Sequence, residues 1–204
     1  METSHFLLGQ RAPVFRLPSA QGPEMGPEDF RGRNRILFFA KGMACGFCRQ
    51  KMSQLARGLA RFRELDAEVL HIAPTPVDRG RFYGRNFRLP FPYLCDPEYR
   101  AYAAYGLAAR KPPLLARVHA VYSGFTTPTP ENDWGEIRPA LRELPRLVND
   151  DDMGFFIVDR EGVIRYARVG SYVMMEGGKM TGIRPIPSNE EIVRELERCE
   201  GAAV

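Results

Sequence analysis

The strongest constraint on this chain is a pair of cysteines placed between an apolar run and an amphipathic stretch. The run Ile36-Leu37-Phe38-Phe39 is short and rich in strand-forming residues, and Cys45-Gly46-Phe47-Cys48 follows it closely. From Cys48 to Phe62, apolar residues recur at three- and four-residue steps with basic residues between them. This pattern predicts a buried strand, a short turn, and a helix that begins at the cysteines.

A position at the start of a helix favours reactive thiols. Free N–H groups and the helix dipole stabilise an anion there, so the pKa of a thiol falls and more of it is thiolate. Lys41 and Arg49 would act in the same direction if they lie close. Two intervening residues allow both sulfurs to come within bonding reach, so that one can attack and the other can resolve the product. The spacing therefore favours reversible thiol–disulfide chemistry.

Two other interpretations of the cysteine pair carry less weight. A zinc site needs further ligands, and the spare candidates are scattered along the chain: Cys95, Cys199, His71 and His119. Two inert core cysteines are the other alternative, which a C-x-x-C within a parallel α/β pattern disfavours. We expect no metal and no cofactor. Cys95 and His71 are predicted to be packed core residues, and Cys199 to lie on the last helix, with a resolving role as the less favoured alternative.

The remaining pattern predicts an α/β fold. A strand at 68–72, a helix at 77–87 and a strand at 91–94 follow the first helix, and a β-hairpin spans 155–169. Strands joined by helical crossovers pair in parallel, and a C-x-x-C beside such a unit is typical of a thioredoxin-like redox site. We therefore expect a thioredoxin-like fold, with a central mixed β-sheet flanked by helices and an insertion before the C-terminal β-hairpin.

Two shorter elements are predicted from local signals. Val14–Leu17 alternates between two prolines and is expected to form an edge strand. Asp96-Pro97-Glu98 combines an N-cap residue, a first-turn proline and a first-turn acid, which predicts a helix from there to Tyr105.

The whole chain, residues 1–204, is expected to form one domain. Its length and its 44% hydrophobic content suffice for one sizeable core, predicted at about 6–172. The stretch at about 111–152 is rich in proline, lacks a regular pattern and contains the only tryptophan, Trp134, so it is interpreted as an insertion. A capping box predicts a C-terminal helix at about 188–200.

Composition argues against two classes of partner. The net charge of +4 is spread out, with acidic residues interrupting the basic ones, which gives no reason to expect a nucleic-acid partner. The apolar stretch Phe6-Leu7-Leu8 is too short for the core of a signal peptide, and no later run approaches a membrane span. We therefore expect a cytoplasmic protein with no membrane partner.

Several stretches together carry a resemblance to a known family. They lie between residues 9 and about 170, interrupted by the insertion: Gly9–Leu17, Phe30–Gly32, Phe38–Arg49, Leu89–Pro97, Ala104–Gly106 and Phe156–Ile164. In these stretches the chain resembles the AhpC/TSA (redoxin) family of the thioredoxin superfamily, in its peroxiredoxin-like branch with a CxxC active site. The resemblance implies the thioredoxin-like fold and an antioxidant thiol peroxidase.

The resemblance also implies a catalytic cycle and partners. Cys45 and Cys48 would be the catalytic residues and would cycle through a Cys45–Cys48 disulfide. The substrate would be a peroxide or a disulfide, and a cellular dithiol such as thioredoxin would be the reductant. Family members often dimerise, so a homodimer is an expectation from the resemblance alone.

The site departs from the family at several positions. In the peroxiredoxin pattern P-x-x-x-[T/S]-x-x-C, placing Cys48 on the peroxidatic position puts Lys41 at the proline and Cys45 at the threonine. Met153 stands where relatives carry either an arginine or a cis-proline. The order of attack therefore stays open: the peroxiredoxin alignment favours Cys48 for a peroxide, and the thioredoxin analogy favours Cys45 for a protein disulfide.

Two alternative functions remain open from the sequence. The first is a thioredoxin-like protein-disulfide reductase that uses the same cysteine pair. The second is a non-catalytic partner-binding module on a thioredoxin fold, in which the insertion around Trp134 holds the partner.

Overall fold

The computed structural model describes residues 6–111, 113–114, 118, 129–171, 173–176, 179–183 and 186–201. The strands are β1 (Asn34–Phe39), β2 (Ala67–Ala73), β3 (Tyr93–Cys95), β4 (Asp152–Val158), β5 (Ile164–Ser171), β6 (Val173–Glu176) and β7 (Lys179–Ile183). The helices are α1 (Gly46–Glu64), α2 (Val77–Asn86), α3 (Arg100–Ala104), the single turn α4 (Leu144–Leu147) and α5 (Asn189–Gly201). His119 and most of the first half of the predicted insertion lie outside the described residues.

A five-stranded mixed sheet organises the molecule, in the order β3-β2-β1-β4-β5. β1, β2 and β3 are parallel, whereas β4 and β5 run antiparallel as the predicted hairpin. β6 and β7 form a separate two-stranded ribbon. The predicted mixed sheet is confirmed.

Both faces of the central strand β1 are covered, which is why its sequence is a continuous apolar run. Ile36 and Phe38 belong to the core on the side of α1 and α5. Leu37 and Phe39 belong to a second core on the side of α3. All four side chains are fully buried, so β1 is held in place from both sides and fixes the position of the turn that follows it.

The edge strand predicted at Val14–Leu17 is wrong. Leu17 makes only an isolated bridge with Met25, and neighbouring bridges are equally isolated. Pro13 and Pro18, which suggested the limits of the strand, lack the N–H groups that a continuous ladder needs.

The helix predicted to begin next to Asp96 starts later, at Arg100. Tyr99 adopts a left-handed conformation (φ 58°), so the chain turns immediately before the helix. Asp96 still caps it, because its carboxylate accepts the backbone N–H groups of Arg100, Ala101 and Tyr102 at 2.9–3.1 Å. The capping chemistry was predicted correctly, but the intervening turn was not.

The C-terminal helix α5 is capped by Ser188, whose Oγ accepts the N–H of Glu191 at 3.2 Å. The Glu191 carboxylate accepts the hydroxyl of Tyr166 on β5 at 2.9 Å. Glu191, the acid of the predicted capping box, therefore ties α5 to the sheet.

His71 is a packed core residue, as predicted. It is fully buried on β2, and its Nδ1 lies 3.1 Å from the carbonyl oxygen of Phe38. Because a carbonyl only accepts, Nδ1 carries the proton. Burial lowers the pKa of His71 to about 3, against an ordinary value of 6.5, so the ring is neutral at physiological pH.

We expect His71 to make the fold sensitive to acid. Below pH 6.5 the unfolded chain binds a proton at His71 that the folded chain takes up only near pH 3, so stability present above pH 6.5 is lost as the pH falls through this window. The contribution is about 1.4 kcal/mol per pH unit. In urea unfolding, His71→Phe should be less stable than wild type at neutral pH, and the difference should shrink by about 2 kcal/mol by pH 5. A difference that stays constant would contradict the assignment.

Candidate active site

The cysteine pair lies at the junction between β1 and α1. Cys45 is the N-cap of α1, with extended backbone angles, and its Sγ accepts the backbone N–H of Cys48 at 3.4 Å. Its carbonyl accepts the first helical hydrogen bond from Arg49 at 3.1 Å. The sulfur thus takes the place of a capping oxygen at the positive end of the helix, where negative charge on it is stabilised.

The two sulfurs differ in exposure. Cys48 is fully buried and packs in the core with Met52, Phe38 and Met153, whereas Cys45 is half-buried. Neither cysteine forms a disulfide in the structure. Cys45 is therefore the more accessible residue of the pair.

The turn before the cysteines is held in place by Tyr93 on β3. The Tyr93 hydroxyl accepts the N–H of Met43 at 3.2 Å and is 2.6 Å from Oγ1 of Thr75. Gly42 lies directly over this hydroxyl with φ +86°, and a Cβ there would be 2.0 Å from the Tyr93 oxygen. Only glycine fits this position, so the turn has little freedom to shift the cysteines.

Arg49 is buried, whereas Arg57 further along α1 is exposed. The relative exposure of Arg49 is 1%, and its Nη1 donates to the carbonyl of Met43 at 2.6 Å. A Cβ on Gly46 would lie 3.5 Å from Nη2, so the guanidinium spans the turn that carries the cysteines. Burial lowers the pKa of Arg49, and the adjacent thiols of Cys45 and Cys48 act in the opposite direction.

Lys41 contacts the insertion. Its ammonium donates to the carbonyl oxygens of Leu147 and Asn149, which belong to the insertion. Of the two basic residues predicted to influence the cysteines, Arg49 lies beside them, and Lys41 ties the insertion to the end of β1.

The described second half of the insertion, residues 129–151, crosses over the cysteine site, and we call it the strap. A Cβ on Gly46 would lie 3.0 Å from Thr129 and 3.4 Å from Pro130, so this part of the strap rests against the C-x-x-C turn. Further along, the N–H of Asp133 donates to Oγ of Ser53 on α1 at 2.9 Å. These contacts cover the face of α1 that contains Arg49.

A buried ionic cluster fastens the strap to α2. Glu143 accepts the hydroxyl of Tyr83 at 2.7 Å, Nε of Arg79 at 2.9 Å and the N–H of Ala140 at 2.8 Å. Burial and the neighbouring Glu143 carboxylate raise the pKa of Tyr83, which keeps its hydroxyl a donor. This cluster could not be predicted, since nothing in the sequence of the irregular strap singles out Glu143 among its acids.

The other cysteines are inert packing residues, as predicted. Burial raises the pKa of Cys95 to about 12 and that of Cys199 to about 11, so both thiols stay protonated at neutral pH. Within the described residues, no group of three or more histidines, cysteines and acids is arranged to hold a metal.

Met153 and Trp134, both singled out in the sequence, occupy different surroundings in the structure. Met153 is a core residue of β4 paired with Gly170, and no peptide bond among the described residues is cis. The indole N–H of Trp134 donates to the carbonyl of Arg88 at 3.2 Å, and its ring helps line a surface cavity of about 460 Å³ between α1, α2 and the strap.

Comparison with known proteins places this site in a family. The AhpC/TSA family model matches residues 8–167, which is most of the chain. The chain belongs to the AhpC/TSA family. The resemblance predicted from the sequence is thereby confirmed.

Curated relatives of this chain carry peroxiredoxin names. A Coxiella burnetii protein with such a name is 30% identical over 112 residues, which cover 51% of this chain and 69% of that protein. Peroxiredoxin Bcp of Bacillus subtilis is 27% identical over 99 residues, covering 48% of this chain and 62% of its own length. With the family match, these relatives confirm the predicted class, a peroxiredoxin-like thiol oxidoreductase with antioxidant activity.

Solved structures confirm the thioredoxin-like α/β fold. The reduced 2-Cys peroxiredoxin of Plasmodium vivax matches with a TM-score of 0.62 at 14% identity, covering 97% of this chain and 98% of that one. AhpC of Enterococcus faecalis matches with a TM-score of 0.57 at 18% identity, covering 97% and 94%. Within the described ranges, none of the helices combines the length and the apolar character needed to cross a membrane.

Proposed function

We propose that this protein reduces peroxides with Cys45 as the attacking thiol and Cys48 as the resolving thiol. The observation that carries the proposal is the contrast between the two sulfurs. Cys45 reaches solvent at the N-terminus of α1 and accepts the N–H of Cys48, while Cys48 is fully buried beside it. The order is the reverse of the one suggested by the peroxiredoxin alignment, because exposure favours Cys45.

The proposed cycle balances with two thiols and one peroxide. The Cys45 thiolate attacks one peroxide oxygen, the O–O bond breaks, and the departing oxygen leaves as an alkoxide or hydroxide that takes up a proton. Cys45 is then a sulfenic acid. The Cys48 thiol attacks that sulfur, water leaves, and a Cys45–Cys48 disulfide remains. A cellular dithiol such as thioredoxin reduces the disulfide by exchange.

A protein-disulfide reductase is the second candidate. The same exposed thiol at a helix N-terminus favours it, because that arrangement also suits attack on a disulfide. The strap argues against it: Thr129 and Pro130 rest against Gly46, beside the attacking sulfur, where a large disulfide partner has to approach. A peroxide is small enough to avoid this obstacle. A partner-binding module centred on the cavity beside Trp134 is the third candidate.

We extend the proposal to the setting of the protein. None of the four cysteines, all of which lie in the described part of the chain, forms a disulfide; this fits a reducing compartment, and we propose the cytoplasm. The homodimer stays a proposal from the family, and sedimentation of the reduced protein tests it.

The reaction of the reduced protein with hydrogen peroxide tests the function. We expect consumption much faster than that of free cysteine, with two thiols lost per peroxide and a disulfide between Cys45 and Cys48 in the peptide map. A variant with both cysteines replaced by serine gives the background rate. If peroxide reacts no faster than with free cysteine while a small disulfide is reduced readily, the reductase replaces this proposal. If neither oxidant reacts, the binding module does.

A further inference from the structure

We infer that Arg49 is a positioning residue that holds the attacking sulfur of Cys45 in its thiolate form. The inference rests on the proposed function for its chemical meaning, but the electrostatic relation between Arg49 and Cys45 is testable without any peroxide. Arg49 follows Cys48 directly on α1, and its side chain turns back toward the turn that carries the pair.

Arg49 makes fewer hydrogen bonds than a buried guanidinium needs. A guanidinium carries five N–H donors, and removing it from water is costly unless acceptors or an anion replace the solvent. Nη1 donates to the Met43 carbonyl, whereas Nε is buried and finds no hydrogen-bond acceptor in the described part of the chain. A buried cation with an unused donor indicates that a negative partner completes the site.

The two sulfurs are the groups that can supply this negative charge. Cys45 and Cys48 favour the charged form of Arg49 more strongly than do Tyr83 of α2 and Glu136 of the strap, the other titratable groups facing it. Tyr102 of α3 approaches the pair from the side of Cys48. Burial raises the pKa values of Tyr83 and Tyr102, so neither is an anion at neutral pH. Glu136 is exposed and acts on Arg49 more weakly than either sulfur, so a thiolate is the strongest counter-charge that the geometry offers.

Cys45 is the better candidate for that thiolate. Its Sγ already accepts an N–H at the helix terminus, and it is the less buried of the two sulfurs. The guanidinium extends from the Met43 carbonyl to the region of Gly46, adjacent to this sulfur in the chain. The helix terminus and the guanidinium thus both favour the thiolate of Cys45, which raises the population of the nucleophile.

The test measures the pKa of Cys45 by the ultraviolet absorbance of its thiolate across pH. All variants carry Cys48→Ser, so that Cys45 is the responding thiol; Cys95 and Cys199 titrate at far higher pH. We expect Arg49→Met to raise the pKa by about 1 to 2 units. Arg49→Lys, which keeps the charge but not the planar fork, should restore part of the shift. Arg61→Met, on an exposed position of the same helix whose partners Glu64 and Glu197 lie outside the strap, is the matched control and should leave the pKa unchanged.

The outcomes separate a charge effect from a purely structural one. If Arg49→Met lowers stability or rate but leaves the pKa of Cys45 unchanged, Arg49 only holds the turn and the inference is overturned. If Arg49→Met does not fold, Arg49→Gln carries the same test. Failure of the proposed function looks different: the pKa depends on Arg49 as expected, yet the wild-type protein consumes peroxide no faster than free cysteine. In that case Arg49 still stabilises the Cys45 thiolate, and the thiolate attacks a disulfide instead of a peroxide.

Discussion

Replacing Cys45 with serine is expected to lower the rate of peroxide consumption by about 1,000-fold or more, because the attacking sulfur is lost and a serine hydroxyl does not ionise at neutral pH. Cys48→Ser is expected to behave differently. Its first step should survive, since Cys45 keeps its place at the N-terminus of α1, but the sulfenic acid on Cys45 should accumulate for lack of a resolving thiol. Stopped-flow kinetics with mass spectrometry after trapping with a sulfenic-acid reagent measures both.

Cys199→Ser is the matched control for these two variants. It removes the same atom from a buried thiol that burial holds protonated, so the rate should equal that of the wild type. The assignment of roles fails if Cys45→Ser still reacts quickly and accumulates sulfenic acid on Cys48. That result would make Cys48 the peroxide thiol, as the peroxiredoxin alignment suggests, with Cys45 as its resolving partner.

The parts of the fold that could be predicted are those whose signals are local and periodic. β1 is a continuous apolar run because both of its faces are covered, and α1 has an apolar stripe because one of its faces meets the sheet. The segment at Val14 has an alternating pattern as well, yet it forms no strand. A strand also needs a continuous ladder of backbone hydrogen bonds, and the flanking prolines lack the N–H groups that would extend one.

The candidate site could be predicted where its residues are adjacent in sequence, and not where they are brought together by the strap. The spacing of Cys45 and Cys48 fixes their place on α1 directly. The burial of Arg49 could not be predicted, because the strap that covers it comes from residues about 80 positions later with no regular pattern. An irregular segment leaves no periodicity from which its contacts can be inferred.

Removal of the carboxylate that fastens the strap is the second large effect we expect. Glu143 and Arg79 are 4% and 14% exposed, so the ion pair between them is largely withdrawn from water. Glu143→Leu leaves the guanidinium of Arg79 and the hydroxyl of Tyr83 buried without their acceptor. We expect the free energy of unfolding in urea to fall by about 3 kcal/mol. The value is at the low end of the range for buried pairs because Arg79 keeps some contact with solvent and stacks on the ring of Phe82.

Glu131→Leu, an exposed glutamate of the same strap, is the control for the loss of an acid as such and should change the unfolding free energy by less than about 0.5 kcal/mol. Equal losses in the two variants would show that net charge, rather than the buried cluster, stabilises the fold. Because Tyr83 also faces Arg49, loosening this cluster should change the surroundings of Arg49 in the active site as well. The pKa of Cys45 should therefore rise slightly in Glu143→Leu and stay unchanged in Glu131→Leu, which links the anchoring of the strap to the chemistry that it covers.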